Sequence, residues 1–248
     1  MNWSEIIAFV VVVGSAGLLL GLAFLRRKST PIFREIPAII RLRKAIGRAV
    51  EDGSRMHFSL GKGGLTSPQG AASLAGLSTL RRLADLTSTS DKTPIATSGD
   101  GSLTILSQDV MQASYQEATG GGQFDATGAR LTGLTPFSYA SGTIPVILDE
   151  QISANVLIGS FGVEAALMAD ASERQNSFLL ASSDSLTGQA VLFASAQEPL
   201  IGEELYAVSE YVSHTPIHAA SLSVQDVLRW TIIACMLLGS ILKLAGIL

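Results

Sequence analysis

Two apolar segments, one near each end, constrain this chain more than any other feature. The first, residues 6–25, reads IIAFVVVVGSAGLLLGLAFL without a charge, and about 20 such residues suffice to cross the ~30 Å hydrocarbon layer of a bilayer. The second begins near Ser223, and from Trp230 to Leu248 its only charged residue is Lys243. Because Lys243 lies close to the end of the segment, its stem can reach the headgroups. We therefore predict two transmembrane helices.

The flanking residues support this prediction and suggest an orientation. A cleavable secretory signal would carry its positive charge before the apolar run, whereas here Glu5 precedes it and a basic group follows it. Basic residues beside a membrane helix stay in the cytoplasm. We therefore expect a two-pass protein with both termini outside and the central region cytoplasmic. The basic group directly after the first helix consists of Arg26, Arg27 and Lys28.

Charge and length divide the chain into four regions. Residues 26–48 carry eight basic side chains against one acidic, whereas residues 49–248 carry nine basic and nineteen acidic ones. An acidic domain argues against nucleic acid as a partner, since binding phosphates needs Lys and Arg. The regions we predict are a first transmembrane helix with its basic flank (1–28), a basic amphipathic linker helix (29–53), a cytoplasmic α/β domain (54–222) and a second transmembrane helix (223–248).

The linker helix is predicted from the sequence AIIRLRKAIGRAVED, which follows Pro37. Its apolar residues recur at helical spacing on one face, and its basic residues lie mostly elsewhere. Two interpretations remain open, and both can hold together: the helix lies on anionic lipid, and it packs its apolar stripe on the soluble domain. The basic residues that would contact lipid in the first interpretation are Arg41, Arg43 and Lys44.

Apolar runs that end in Gly, Ser or Asp alternate with helical patterns through residues 54–222, which predicts an α/β domain with a Rossmann-like layered sheet. The predicted strands are 56–60, 94–98, 154–158 and 178–182, and 129–151 is predicted as a strand or hairpin. The predicted helices are 69–87, 102–118, 163–171, 187–196 and 202–212. Each half contains a strand, a glycine turn, a helix, a strand and an Asp-containing turn. An internal duplication and ordinary α/β regularity both account for this pattern.

The glycine turns and the two turn aspartates are the candidate ligand-binding residues. GKGG at 61–64 lacks the spacing of a phosphate loop, and GSFG at 159–162 lacks a complete dinucleotide fingerprint. Asp100 and Asp184 follow predicted strands, where open α/β sheets bind ligands, although Asp also serves as a turn or cap residue there. The candidates are Gly61, Gly63, Gly64, Asp100, Gly159, Gly162 and Asp184.

Signatures of catalysis and of metal binding are weak. Cys235 is the single cysteine, so neither an intrachain disulfide nor a cysteine metal cluster can form. His214 and His218 flank Pro216, and His57 lies in a predicted strand. No serine-nucleophile elbow is present. We therefore assign no catalytic residue, no metal site and no cofactor.

Glycines four residues apart occur within the first apolar helix. Gly17 and Gly21 form a G-x-x-x-G motif, and Gly14 precedes them. Such spacing lets two membrane helices approach closely. The partner would be the second helix of the same chain, a neighbouring subunit or another membrane protein.

Taken whole, the chain resembles an uncharacterised family of bacterial membrane proteins of Chloroflexi type, classed as a domain of unknown function. The resemblance is carried by the basic linker and by MHFSLGKGG, LAGLSTLRRLAD, ATSGD and ANVLIGSFGVEAALMADA. It implies a bacterial inner (cytoplasmic) membrane setting and brings no known activity.

Three functions follow from these features as hypotheses. The first is a membrane-anchored scaffold that self-associates into homo-oligomers in the lipid bilayer. The alternative is a membrane-tethered sensory domain that binds a small molecule or nucleotide between its glycine turns. The third, an enzyme that uses Asp100 or Asp184, has the least support in the sequence.

Overall fold

The computed structural model describes residues 3–25, 35–88, 90–120, 124–212 and 216–244. The chain divides into two compact units, one formed by Glu35–Ser213 and one by Met1–Arg34 together with His214–Leu248. The helices are α1 (Trp3–Leu25), α2 (Pro37–Glu51), α3 (Gly70–Thr87), α4 (Gly101–Thr119), α5 (Pro136–Asp149), α6 (Ala165–Arg174), α7 (Leu186–Ser195), α8 (Glu204–Val212) and α9 (Pro216–Leu244). The strands are β1 (Arg55–Gly61), β2 (Ile95–Ser98), β3 (Ala129–Leu131), β4 (Ile152–Ser160), β5 (Phe178–Ser183) and β6 (Glu198–Leu200).

The terminal unit consists of α1 and α9, which pack against each other. The stretches Trp3–Phe24 and Ala219–Leu244 are long and apolar enough to cross a membrane. Helix α9 begins at Pro216, so the predicted helix start at Ser223 is wrong. Ser223 lies inside the helix, where its hydroxyl donates to the carbonyl oxygen of Ala219 at 2.9 Å.

The central unit is built on one six-stranded sheet in the order β3-β2-β1-β4-β5-β6. Every neighbouring pair of strands is parallel. Parallel neighbours need crossover connections, and helices supply them here. The chain therefore builds an α/β fold, as the sequence predicted.

Helices cover both faces of this sheet, which explains why almost every residue of its central strands is buried. On one face, α2, α3, α4 and α8 pack on a core that includes Met56, Phe58 and Leu60 of β1. On the other face, α5, α6 and α7 pack around Tyr139 and Phe161. Alternate residues of each strand thus enter opposite cores.

The strand order reverses between β1 and β4. After β1 the chain builds outward through β2 and β3, and it then crosses to β4 and builds the other half through β5 and β6. The loops that follow β1 and β4 consequently diverge to opposite sides. A crevice opens at the carboxyl ends of these strands, which is where open α/β sheets bind ligands.

The segment 129–151 differs from its prediction as a strand or hairpin. Only Ala129–Leu131 is a strand, and Pro136–Asp149 is a helix. The start signals of this helix outweigh the apolar alternation, because Thr135 and Ser138 form a reciprocal capping box and Pro136 occupies the first turn. The three-residue edge strand β6, which contains Pro199, was not predicted either.

The predicted linker helix is α2, and it packs on the α/β unit. Its apolar stripe, led by the fully buried Leu42, belongs to the core of the α/β unit. This confirms the interpretation in which the helix packs on the domain. Arg41 forms a two-point ion pair with the carboxylate of Glu198 on β6, and Arg43 donates to the carbonyl oxygens of Tyr211 and Val212.

Candidate functional site

A cavity of about 590 Å³ lies at the carboxyl ends of β1, β4 and β5, and we call it the switch-point cavity. Its size falls within the range of small-molecule sites. Polar and apolar groups both contribute to its wall. The lining residues are Lys62, Gly63, Gly64, Ser67, Gln69, Leu134, Ser160, Phe161, Gly162, Asp184, Ser185 and Thr187.

The loop after β1 is shaped by glycines that no other residue could replace without movement. Gly61 has φ +73°, and a Cβ built there would lie 2.4 Å from the Ser160 carbonyl oxygen. A Cβ at Gly63 would lie 2.7 Å from the Ser73 hydroxyl oxygen, and one at Gly159 would lie 2.0 Å from the Leu60 carbonyl oxygen. Gly61 and Gly159 thus permit close approach of β1 and β4, whereas Gly63 brings backbone to the cavity wall.

Unpaired hydrogen-bond donors occur in this loop. The backbone N–H groups of Gly63 and Gly64 donate to no residue in the described part of the chain. The carbonyl oxygens of the same two residues, by contrast, accept bonds from the hydroxyl groups of Ser73 and Ser67. Successive free N–H groups are the feature with which loops bind anions.

Lys62 adds a positive charge beside these N–H groups. Its side chain is exposed at the cavity. It forms no ion pair with any of the described residues. Sequence reasoning considered this lysine only against the phosphate-loop pattern and did not select it as a site residue.

Asp184, at the end of β5, is a cavity residue without a structural task. The cap of α7 is the neighbouring Ser185, whose hydroxyl accepts from the N–H of Gly188. The Oδ1 atom of Asp184 is shielded from solvent and has no hydrogen-bond partner in the described structure. The charge of Asp184 also acts on Tyr206. Burial is the larger cause of the raised pKa of Tyr206, and the negative charge of Asp184 adds to it. Asp184 therefore does not serve as a cap.

Asp100, which occupies the corresponding turn after β2, has the structural role. Its Oδ1 accepts from the backbone N–H groups of Ser102 and Leu103 at 3.0 and 3.1 Å and caps α4. The Ser102 hydroxyl also donates to it and holds the pKa of Asp100 below its usual value. Asp100 does not line the switch-point cavity. The two aspartates, equivalent in sequence pattern, thus differ in role.

The turn GSFG at 159–162 already holds an anionic group. Glu164 is only 2% exposed, and its Oε1 accepts from the N–H of Gly162 at 2.9 Å. A Cβ at Gly162 would lie 2.6 Å from the other carboxylate oxygen. Glu164 stands at the amino end of α6, where a helix favours a negative charge. This turn is therefore less suited to an external anion than the loop after β1.

A buried hydrogen-bond network, which sequence reasoning missed, lies beneath the sheet on the α5–α6 side. His57 contacts the Asn155 Oδ1 at 2.6 Å through Nδ1 and the Thr97 hydroxyl at 2.8 Å through Nε2. The Tyr139 hydroxyl joins Thr97 to Ser59. The oxygen of Asn155 only accepts, so Nδ1 of His57 carries the proton. None of these five residues lines the switch-point cavity.

The glycines of α1 face away from α9. A Cβ built at Gly14, Gly17 or Gly21 would meet no atom within 4 Å. At 100° per residue these glycines lie on the side of α1 opposite its half-buried residues. Those half-buried residues include Ser15, Leu19, Leu22 and Ala23.

The predicted lipid-contacting basic residues divide into two sets. Arg41 and Arg43 contact the α/β unit, and Lys44 is exposed on α2. Arg26, Arg27 and Lys28 lie outside the described residues. Within the described ranges, no group of three or more His, Cys, Asp or Glu side chains could hold a metal ion.

Together, the sheet, the switch-point cavity and the terminal helices define an α/β protein with two apolar helices of membrane-spanning length. The chain belongs to the family described as "Domain of unknown function (DUF6754)", whose model matches residues 1–248. The expected membership of an uncharacterised domain family is thereby confirmed. No curated protein and no solved structure matches the chain.

Proposed function

We propose that this chain is a membrane-anchored protein whose α/β domain binds a small polar ligand in the switch-point cavity. The observation that carries the proposal is the set of unpaired groups in its wall: Lys62, the Oδ1 of Asp184, and the N–H groups of Gly63 and Gly64. Buried polar groups in folded proteins are mostly paired, and Gly63 and the Oδ1 of Asp184 are buried. Lys62 is exposed and adds a positive charge beside them. Groups left unpaired around a cavity are available to a ligand.

The topology supports the same proposal. The strand order 3-2-1-4-5-6 is that of doubly wound sheets, which bind ligands at the point of reversal. We therefore assign the domain a Rossmann-like layout. Because the cavity lies at this reversal, we place ligand binding ahead of the scaffold as the primary function, and the bound state would be the signal that the domain senses.

The terminal helices and the basic flank support a location in a bacterial inner membrane with the domain in the cytoplasm. Protease added to intact cells should then leave the central region uncut, while protease added to inverted vesicles should digest it. Digestion of the central region in intact cells would contradict this orientation.

Ligand binding can be tested by thermal shift on the detergent-solubilised full chain with a set of nucleotides and phosphorylated metabolites. A ligand at 100 times its Kd stabilises the folded state by about 2.7 kcal/mol. For a domain of this size that corresponds to a rise in Tm of roughly 5–11 °C. At least one compound should produce such a rise.

A variant that fills the cavity tests whether the ligand that raises Tm binds there. Thr187→Trp places an indole at the wall of the switch-point cavity and should abolish the rise in Tm. Ser141→Trp, on the exposed face of α5, is the matched control and should retain it. The proposal fails if no compound shifts Tm, or if Thr187→Trp responds as the control does.

Self-association through α1 is the second candidate function, and the open glycine face favours it. Glycines at this spacing let helices pack closely in a membrane, where small residues lower the distance between helix backbones. Because the face of Gly14, Gly17 and Gly21 points away from α9, we propose a copy of α1 from a neighbouring subunit as its partner.

The oligomeric state in mild detergent tests this second candidate. Replacing Gly17 and Gly21 by leucine should convert the oligomer to a monomer, as measured by light scattering. Ala16→Leu adds the same bulk away from the glycine face and should preserve the oligomer. Equal oligomeric states for both variants, or a wild type that is monomeric at all concentrations, would eliminate the candidate.

A further inference from the structure

From the arrangement of charges in the switch-point cavity we infer that its ligand is a nucleoside phosphate bound in one orientation: phosphate against Lys62, Gly63 and Gly64, and ribose hydroxyls against Asp184. This inference rests on the proposed ligand-binding function and adds the class of ligand and its direction. It depends on two walls of opposite charge that have no partners of their own.

The loop after β1 would bind the phosphate end of the ligand. Lys62 supplies a full positive charge, and the N–H groups of Gly63 and Gly64 supply two unpaired donors beside it. Glycine at position 63 has no room for a Cβ, so the backbone itself forms the wall. A cation next to free backbone N–H groups is the chemistry that binds phosphate.

The competing anion site at the amino end of α6 is already filled. The carboxylate of Glu164 accepts the N–H of Gly162 and is almost fully buried. A phosphate placed there would meet this negative charge at close range. The Asp100 carboxylate also lies near Gly64, with its nearest oxygen 3.3 Å from a Cβ built there, but on that side the positive charge of Lys62 offsets it. The phosphate therefore belongs at the β1 side of the cavity.

The opposite wall requires a donor from the ligand. Asp184 is acceptor-only when ionised, and its Oδ1 has no partner within the described structure. A small rotation of the carboxylate would bring this oxygen into the cavity that Asp184 already lines. Vicinal hydroxyl groups, such as those of ribose, can donate to both oxygens of a carboxylate.

The distance between the two walls fits such a ligand. Lys62 follows β1 and Asp184 follows β5, with β4 between them. Neighbouring strands lie about 4.8 Å apart, so the strand ends are separated by roughly 10 Å. Leu134 contributes exposed apolar surface to the same cavity, whereas the ring of Phe161 is buried in the core on the α5–α7 side of the sheet.

A cycle of two ligands and two variants tests the orientation. The probes are ADP and 2′,3′-dideoxy-ADP, which lacks both ribose hydroxyls. Calorimetric titration uses the full chain in detergent with EDTA, so that a magnesium bridge cannot contribute. Wild type should bind ADP about 10-fold or more tightly than the dideoxy analogue, because a hydrogen bond to a charged group is worth at least that factor.

The variants separate the two walls. Asp184→Ala, which removes both acceptor oxygens, should bind both probes with equal affinity, at the level of the dideoxy analogue on wild type. Lys62→Gln should weaken both probes about 10-fold while preserving their ratio. Asp149→Asn and Lys92→Gln, which change exposed charges that do not line the switch-point cavity, should behave as wild type.

The inference is overturned if wild type does not bind ADP at 1 mM, if the two probes bind wild type equally, or if Asp184→Ala keeps the full ratio. If a compound from the thermal-shift set still raises the Tm of wild type but not of Thr187→Trp, the proposed ligand-binding function stands and only the nucleotide assignment is rejected. If no compound binds at all, both fall together.

Discussion

Mild acid is expected to weaken the α/β domain through one buried histidine. His57 is fully buried, and its pKa is lowered from 6.5 to about 4. Burial is the main cause, the bond to Asn155 opposes the shift, and the charge of Arg130 adds to it. The unfolded chain takes up a proton near pH 6.5, whereas the folded state remains neutral until about pH 4. Stability is therefore complete above pH 6.5 and is lost as the pH falls from there toward 4.

The magnitude follows from the shift. Between pH 7 and pH 5 the unfolded state gains most of its protonation while the folded state gains almost none, which amounts to about 2 kcal/mol. That corresponds to a fall in Tm of roughly 4–8 °C for a domain of this size. The pKa values of Asp100 and Asp125 are lowered, so these two carboxyl groups contribute little in this window.

Calorimetry of the full chain at pH 7 and pH 5 measures the effect. His57→Gln should be less stable than wild type at pH 7 but should lose less Tm on acidification. Thr97→Val removes a hydrogen bond of the same network without removing the titrating group, so it should lower Tm while keeping most of the pH dependence. Equal pH dependence in wild type and His57→Gln would refute this reasoning.

Three further predictions concern packing, backbone and the cavity carboxylate. Leu42→Ala should lower the free energy of unfolding, measured by denaturant titration, by about 3 kcal/mol. Ile40→Ala, at a half-exposed position of the same helix, should lower it by less than about 1 kcal/mol, and equal losses would contradict burial of α2 in the core. Gly61→Ala should lower the free energy of unfolding by more than about 2 kcal/mol, because Gly61 has a positive φ and no room for a Cβ. Gly101→Ala, at a position with open space for a Cβ, should change it almost not at all, and similar melting temperatures for the two variants would contradict this prediction. Asp184→Asn should leave the ligand-free protein at least as stable as wild type, because an unpaired carboxylate oxygen costs free energy, and a clear fall in Tm would show a structural role instead.

The larger elements of the fold could be predicted because their signals are local. Strands β1, β2, β4 and β5 are short apolar runs bounded by Gly, Ser or Asp, and each appears within a few residues of its predicted position. The terminal apolar helices follow from length and composition. Hydrophobic periodicity is sufficient to predict an element where the segment is long and Gly, Ser or Asp residues mark its ends.

The segment 129–151 shows where this reasoning fails. Ser141 and Gly142 resemble a hairpin turn, but the cap at Thr135 and Ser138 starts a helix that continues through Pro145. The edge strand β6 has three residues, too few for a periodic signal. Its position depends on pairing with β5, which is a tertiary contact.

The candidate site was predictable in part. Gly63, Gly64, Gly162 and Asp184 do line one cavity, as their positions after strands suggested. Sequence alone could not separate Asp184 from Asp100, because each follows a strand and precedes a small residue at a helix start. The difference is which side chain caps the helix, and that depends on local geometry. The shared ancestry of the two halves stays a prediction.

Hydrogen–deuterium exchange on the intact protein, with and without saturating ADP, tests the central claim that the switch-point cavity is the binding site. We expect ligand to slow exchange in the loop 62–69 and at 184–187, and to leave unchanged the second cavity of about 490 Å³ at the other end of β5, around Glu173 and Gln197. Protection at the second cavity, or none at either loop while the ligand is bound, would contradict the account.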